Sequence, residues 1–248
     1  MTTHFKKVLR QALKTFERAN YNHATFNANL QQLKQLTDQL TYRDLHLSKD
    51  ELFHDAFNET ADRAPCSYIH IFENELVSMS VFIMRPGYTM PLHDHPMMHG
   101  ILRGIWGQLR VQSYTQQLGV NESEPLVYDK NPTEVRVIAE QPNVVTPQTT
   151  SALLTPRERN FHQITAVNGV AAFFDILSPP YDANMPIYGP RRCRFYRPKS
   201  DSDNQIHLQC IPSPGSYYCD LVDTPDSVLQ CGFVCAAEIF GDHATEMQ

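Results

Sequence analysis

Gly87-Tyr88-Thr89-Met90-Pro91-Leu92-His93-Asp94-His95-Pro96 is the stretch on which the reading of this chain turns. Side chains two apart on a strand point to the same face, so an extended backbone here projects His93 and His95 together and sends Asp94 the other way. Two imidazoles so placed hold adjacent corners of one metal ion. A third ligand has to come from another strand. His162, in Asn160-Phe161-His162-Gln163-Ile164, follows a polar loop and opens a β-prone run, which suits it to that part. Alone, a His-x-His pair is a weak signal, because eleven histidines make chance pairs easy.

The punctuation around the pair strengthens it. Gly87 precedes it, Pro91 and Pro96 stand on either side, and Gly107 follows. This spacing resembles the first cupin motif, Gly-x5-His-x-His-x3-4-Glu-x6-Gly. The resemblance implies a mostly β, double-stranded β-helix (jelly-roll) barrel. One position departs from it, since the motif's Glu falls on Gly100. The ligand set becomes His93, His95 and His162 with no carboxylate, and His99, off register, reads as structural or supporting. Three neutral imidazoles leave a divalent ion its full charge, which favours an anionic ligand such as a thiolate. Donor type alone does not separate iron from zinc.

The rest of the chain frames this segment. With 248 residues, 42% of them hydrophobic and 19% charged, there is apolar surface for one sizeable core. A net charge of −6 argues against a nucleic-acid partner, whose phosphates need clustered Lys and Arg. No apolar run reaches the ~18 residues of a membrane span. The six cysteines make no Cys-x-x-Cys pair and follow no signal peptide, so reduced thiols and a cytoplasmic location are expected. The basic start, with Lys6, Lys7, Arg10, Lys14 and Arg18, fits either a docked helix or a mitochondrial transit peptide, and the helix is preferred.

Phe5, Val8, Leu9, Ala12, Leu13 and Phe16 repeat at helical spacing. A second helix fits 29–40, and Ser48 with Glu51 forms a capping-box pattern for a short third one. After Pro65 short β-prone runs alternate with turn residues, at 68–72, 76–84, 100–106, 109–114, 135–139, 161–167 and 171–177. Residues 1–64 thus read as a helical segment packed outside a barrel of 65–248, in one globular unit. The polar stretch 116–132 looks like a long hairpin excursion, and 228–240 like a strand pair or a helix.

Two further runs carry a resemblance to a family. His93-Asp94-His95-Pro96-Met97-Met98-His99-Gly100 is similar to the metal segment of the 2-aminoethanethiol (cysteamine) dioxygenases and plant cysteine oxidases. So is Phe161-His162-Gln163-Ile164 followed by Phe173-Phe174-Asp175-Ile176-Leu177-Ser178-Pro179-Pro180-Tyr181-Asp182. The resemblance runs from about residue 68 to 196. It implies a three-histidine Fe(II) site that adds both atoms of O2 to a thiol. The substrate is cysteamine, giving hypotaurine, or a protein N-terminal cysteine, giving the sulfinic acid that marks a protein for oxygen-dependent degradation. It also implies functional roles for Asp175 and Tyr181, and a monomer is expected.

Asp175 in so apolar a run is costly unless paired. It accepts the substrate amine or a ligand His N–H, or else forms a salt bridge with Arg192 or Arg194. Tyr181 donates near a metal-bound oxygen or caps the Pro-Pro turn. Arg103 is expected to face solvent and not to bind substrate. Some relatives carry a Cys–Tyr thioether where this chain reads Cys193-Arg194-Phe195-Tyr196, so that crosslink is not expected to form as in them, and Cys193 is expected as a plain buried thiol. The competing readings are a cupin module that binds a metal or ligand without turnover, and a zinc hydrolase or isomerase.

Overall fold

The computed structural model describes residues 3–17, 23–53, 63–118, 134–185, 189–200 and 205–230. The helices are α1 (Thr3–Phe16), α2 (His23–Asp38) and α3 (Lys49–Phe53), with a 3₁₀ turn at Tyr42–Leu45. The strands are β1 (Cys66–Glu73), β2 (Ser78–Met84), β3 (Thr89–Asp94), β4 (His99–Gln116), β5 (Glu134–Ala139), β6 (Asn143–Val145), β7 (Ala152–Leu154), β8 (Phe161–Ser178), β9 (Asn184–Met185), β10 (Gly189–Pro190), β11 (Phe195–Ser200), β12 (Ile206–Ile211) and β13 (Cys219–Val222).

Six strands close on themselves: β8 pairs β3, β3 pairs β11, β11 pairs β12, β12 pairs β5, β5 pairs β4, and β4 returns to β8. Closure leaves this ring no open edge. The other half of β8 carries β2, which in turn carries β1 and β13. This is the cupin barrel expected from the sequence, with helices packed outside it. Two of the short runs read from the sequence merge into β4 and two more into β8. The turn signals between them, Gly107 at φ +62 and Asn168-Gly169 at φ 60 and +131, are bends within continuous strands. Register shifts between Gly104, Trp106 and Gln108 mark the same place. Such irregularities kink a strand without ending it, so β8 serves β2 with one half and β3 with the other.

β8 shows how alternation divides the core. Phe174 and Ile176 join α1 in one buried cluster, while Phe173 belongs to the cluster inside the barrel. The Phe5 and Phe174 rings meet edge-on at 6.4 Å, and Val8, Leu9, Ala12 and Leu13 are fully buried. Each large side chain so buried contributes about 1.5–3 kcal/mol. α1 is thus packed against the barrel, as the docked-helix reading expected. α2 begins before the expected residue 29 because Phe26, four before Leu30, continues its apolar face against Phe16 and His99. The expected excursion lies mostly outside the described residues, as does most of the 228–240 segment, of which 228–230 is helical.

Gly107 and Gly87 both have positive φ, but only Gly107 is crowded. A Cβ there would collide with the Val170 carbonyl oxygen and sit 2.9 Å from Ala171 Cα, whereas nothing lies within 4 Å at Gly87. Gly87→Ala is expected to lose roughly 1–2 kcal/mol of stability, the conformational cost alone. Gly107→Ala should lose clearly more. Equal shifts of the urea midpoint for the two variants would refute the crowding at the bend.

Candidate metal centre

β3 and β8 run antiparallel with His93 directly opposite His162. His95 stands one residue past the end of β3, where its N–H donates to the Asn160 carbonyl at 3.1 Å and keeps the chain alongside β8. All three rings are buried, with centroids 4.7–4.9 Å apart pairwise. The candidate ligand atoms all lie within 4.8 Å of one another. Asp94 points away, as alternation requires. Its carboxylate accepts hydrogen bonds from the Tyr196 hydroxyl and the Arg194 N–H, both at 2.8 Å.

The hydrogen bonds behind the rings set their tautomers. His93 Nδ1 lies 2.8 Å from the Pro91 carbonyl, which only accepts, so Nδ1 carries the proton and Nε2 keeps its lone pair. The Tyr181 hydroxyl donates to the Asp94 carbonyl at 2.6 Å and therefore accepts from His95 Nδ1–H at 2.9 Å. His95 Nε2 is thereby free, 3.0 Å from His162 Nε2. Two imidazole nitrogens at right angles around an ion about 2.1 Å away stand about 3 Å apart, so the donor set fits a metal. Burial pushes His93 down to about 4 and, with the neighbouring imidazoles, holds His95 and His162 well below the usual histidine range. The rings are neutral ligands at pH 7.

Among the described residues no carboxylate completes this set. A Cβ on Gly100, where the cupin motif has Glu, would lie 2.9 Å from both Leu154 Cγ and Leu177 Cδ2. His99 is also elsewhere: its ring packs on Phe26 at 5.1 Å, in the seam between helices and barrel.

The three histidines open onto a cavity of about 610 Å³ that Asp175, Tyr181, Cys193 and Phe195 also line. Asp175 reaches it by the same alternation that buries Phe174 on the other face. Burial pushes its carboxyl up to about 7, opposed by the Ile176 N–H. Among the described residues no salt bridge reaches it; Arg192 pairs with Asp182 at 2.6 Å instead. Tyr181 neither reaches over the metal position nor merely caps a turn, because its hydroxyl sits behind His95. Cys193 is half-buried beside Tyr181 rather than a core thiol, with burial the main cause pushing it up to about 12. Arg103 departs from expectation more sharply. It is buried, and its guanidinium donates to the carbonyls of Leu40, Pro147 and Thr149, tying the helical segment to a loop. A charge on a strand reads as solvent-facing; three carbonyls brought together from distant segments leave no local signal.

Residues 36–226 match the PCO_ADO family model. This chain belongs to the PCO_ADO family. It is 30% identical to the 2-aminoethanethiol dioxygenase of Mus musculus, over 89% of this chain and 94% of the mouse protein. It is 32% identical to that of Homo sapiens, over 79% of each. Plant cysteine oxidase 1 of Arabidopsis thaliana is 25% identical over 61% of this chain and 50% of that protein. In this PCO_ADO protein Phe195 lies opposite His93 on β11, with the ring centroids 6.4 Å apart, so a phenyl ring occupies that stretch of wall. Sequence reasoning missed the wall contributed by Tyr217, Cys219 and Leu221.

His162→Ala is expected to abolish stoichiometric metal binding. Tyr181→Phe keeps the three nitrogens but leaves His95 Nδ1 without its acceptor, so metal affinity should fall about 10- to 100-fold. Competition with a chelator measures both, and wild-type affinity in Tyr181→Phe would remove the hydroxyl from the site's support. The raised Asp175 adds a pH effect in metal-free protein. Its folded pKa of about 7 exceeds the ordinary 3.8, so the folded state binds more protons and stability falls as pH rises through that window. Asp175→Asn should flatten this slope, and an unchanged slope would refute the assignment.

Proposed function

We propose that this protein is an Fe(II)-dependent thiol dioxygenase that adds both oxygen atoms of O2 to the sulfur of an aminothiol, giving a sulfinic acid. One observation carries this reading: a cluster of three neutral histidines and a buried carboxylate that has no salt-bridge partner among the described residues face the same cavity. Held by His93, His95 and His162, a ferrous ion supplies an undiminished positive charge for a thiolate and the redox chemistry for dioxygen. The protein's own part is positional. Tyr181 and the Pro91 carbonyl hold His95 and His93 in the metal-binding tautomer. Asp175 accepts the substrate ammonium and so places the sulfur, two carbons away, at the histidine cluster. The apolar wall of Phe173, Phe195 and Leu177 excludes water from that end.

Cysteamine, whose product is hypotaurine, and a protein N-terminal cysteine share this amine-to-thiol spacing, and both are substrates on this reading. The names of the mouse and Arabidopsis relatives support the pair. The cavity also disfavours a free carboxylate beside the amine. Arg191, buried in its wall, donates to the Pro96 and Pro180 carbonyls, and Arg192 pairs with Asp182. We read residues 1–64 and 65–248 as one globular unit, acting as a monomer in the cytoplasm. Among the described residues no helix is long and apolar enough to cross a membrane.

Iron-loaded protein given cysteamine should consume O2 and form hypotaurine in equal amounts, and a peptide with N-terminal cysteine should gain two oxygen atoms. Thiol-independent or absent uptake would favour a cupin that binds without turnover, and turnover with zinc would favour a hydrolase. Asp175→Asn is expected to raise KM for cysteamine about 10- to 100-fold, the worth of a charged hydrogen bond. KM for a thiol without an amine should change little. In wild type kcat/KM for cysteamine should rise with pH towards about 7 as Asp175 loses its proton, and this limb should vanish in the Asn variant.

A further inference from the structure

Cys66 on β1 and Cys219 on β13 are direct partners across a parallel ladder. Adjacent strands lie about 4.8 Å apart, within the roughly 4.4–6.8 Å between Cα atoms that a disulfide spans. Cys66 is fully buried and Cys219 half-buried, and both pack in the same apolar cluster beside Tyr217. The neighbouring thiols bias each other's ionisation, Cys219 lying below the usual thiol value and Cys66 well above it. The two differ in role accordingly: the accessible, more acidic sulfur is the one that attacks, and the buried one resolves. Cys219 also lines the cavity of the three histidines. The other described cysteines are placed differently, Cys193 beside Tyr181 and Cys210 opposite Tyr196 on the β11–β12 ladder.

We propose that Cys66 and Cys219 form a redox-active dithiol that closes to a disulfide on the wall of the cavity. The oxidant is a small disulfide formed from two aminothiols. The Cys219 thiolate attacks one of its sulfurs and expels the first aminothiol, leaving a mixed disulfide on Cys219. Cys66 then attacks Cys219 Sγ and expels the second. One S–S bond breaks and one forms. Two electrons and two protons leave the protein, and the reagent ends as two aminothiol molecules. The bond ties β13 to β1 and takes a free thiol off the cavity wall. The pairing stands on the strand register, whatever chemistry the cavity performs.

The test uses reduced, metal-loaded protein, held without oxygen and treated with cystamine, followed by alkylation, intact mass and peptide mapping. The expected result is loss of two hydrogens and a crosslinked peptide joining Cys66 to Cys219, reversed by dithiothreitol. Cys66→Ala should instead stop with one aminoethylthio group on Cys219. The proposal is overturned if wild type stops at that mixed disulfide, if the crosslink joins other cysteines, or if Cys66 and Cys219 both remain open to alkylation. The wild-type map decides even if the variant does not fold. O2 uptake by the reduced protein, measured separately, reports on the dioxygenase reading alone.

Discussion

The Asp94 carboxylate, buried on the face of β3 away from the histidines, accepts hydrogen bonds from the Tyr196 hydroxyl and the Arg194 amide. An unsatisfied buried carboxylate costs several kcal/mol, so these two bonds fasten β3 to β11 in one register. Burial lifts Asp94 to about 6 while both partners pull it down. With residue 94 held outward, the period of two directs 93 and 95 inward. The cross-strand pairing of His93 with His162 then places the third imidazole. The Asp94 carbonyl receives the Tyr181 hydroxyl and so settles the proton on His95. One residue facing away from the centre thus orders much of what faces it.

What was legible in the sequence had a local cause. The His-Asp-His alternation follows from strand geometry, and the convergence of residues 93, 95 and 162 needed only one neighbouring strand. Asp175 drew notice because a charge in an apolar run needs an explanation. The failures also have physical reasons. Gly107 and Asn168-Gly169 carry the composition of turns, yet their positive φ values serve bends in strands that barrel curvature keeps continuous. Arg103 and the wall from Tyr217 to Leu221 depend on contacts between segments far apart in the chain. β13 reaches the cavity by pairing with β1, more than 150 residues earlier, and no pattern within either strand announces that partner.

Gly100 shows why no carboxylate joins the histidines from the motif position. The space that a motif Glu would enter is filled by Leu154 and Leu177, each of which would lie 2.9 Å from a Cβ placed there. Restoring a side chain at residue 100 would first have to displace both leucines, in an interior that resists added volume.

The same packing sets the charge pattern of the cavity. Three neutral rings contribute no negative charge at one end, and three carboxylates stand elsewhere on the wall: Asp175, buried and without a salt bridge among the described residues, Asp182, paired with Arg192, and Glu73. On the proposed reading a zwitterionic aminothiol, with thiolate towards the metal position and ammonium towards Asp175, matches both ends at once. Free cysteine adds a second anion beside its ammonium, close to Asp175, where the wall arginines are engaged with carbonyls and Asp182. Joining that carboxyl group into a peptide bond removes the charge and leaves the amine and thiol untouched. On the proposed reading the electrostatics of the wall disfavour free cysteine relative to cysteamine and an N-terminal cysteine, and make little distinction between those two.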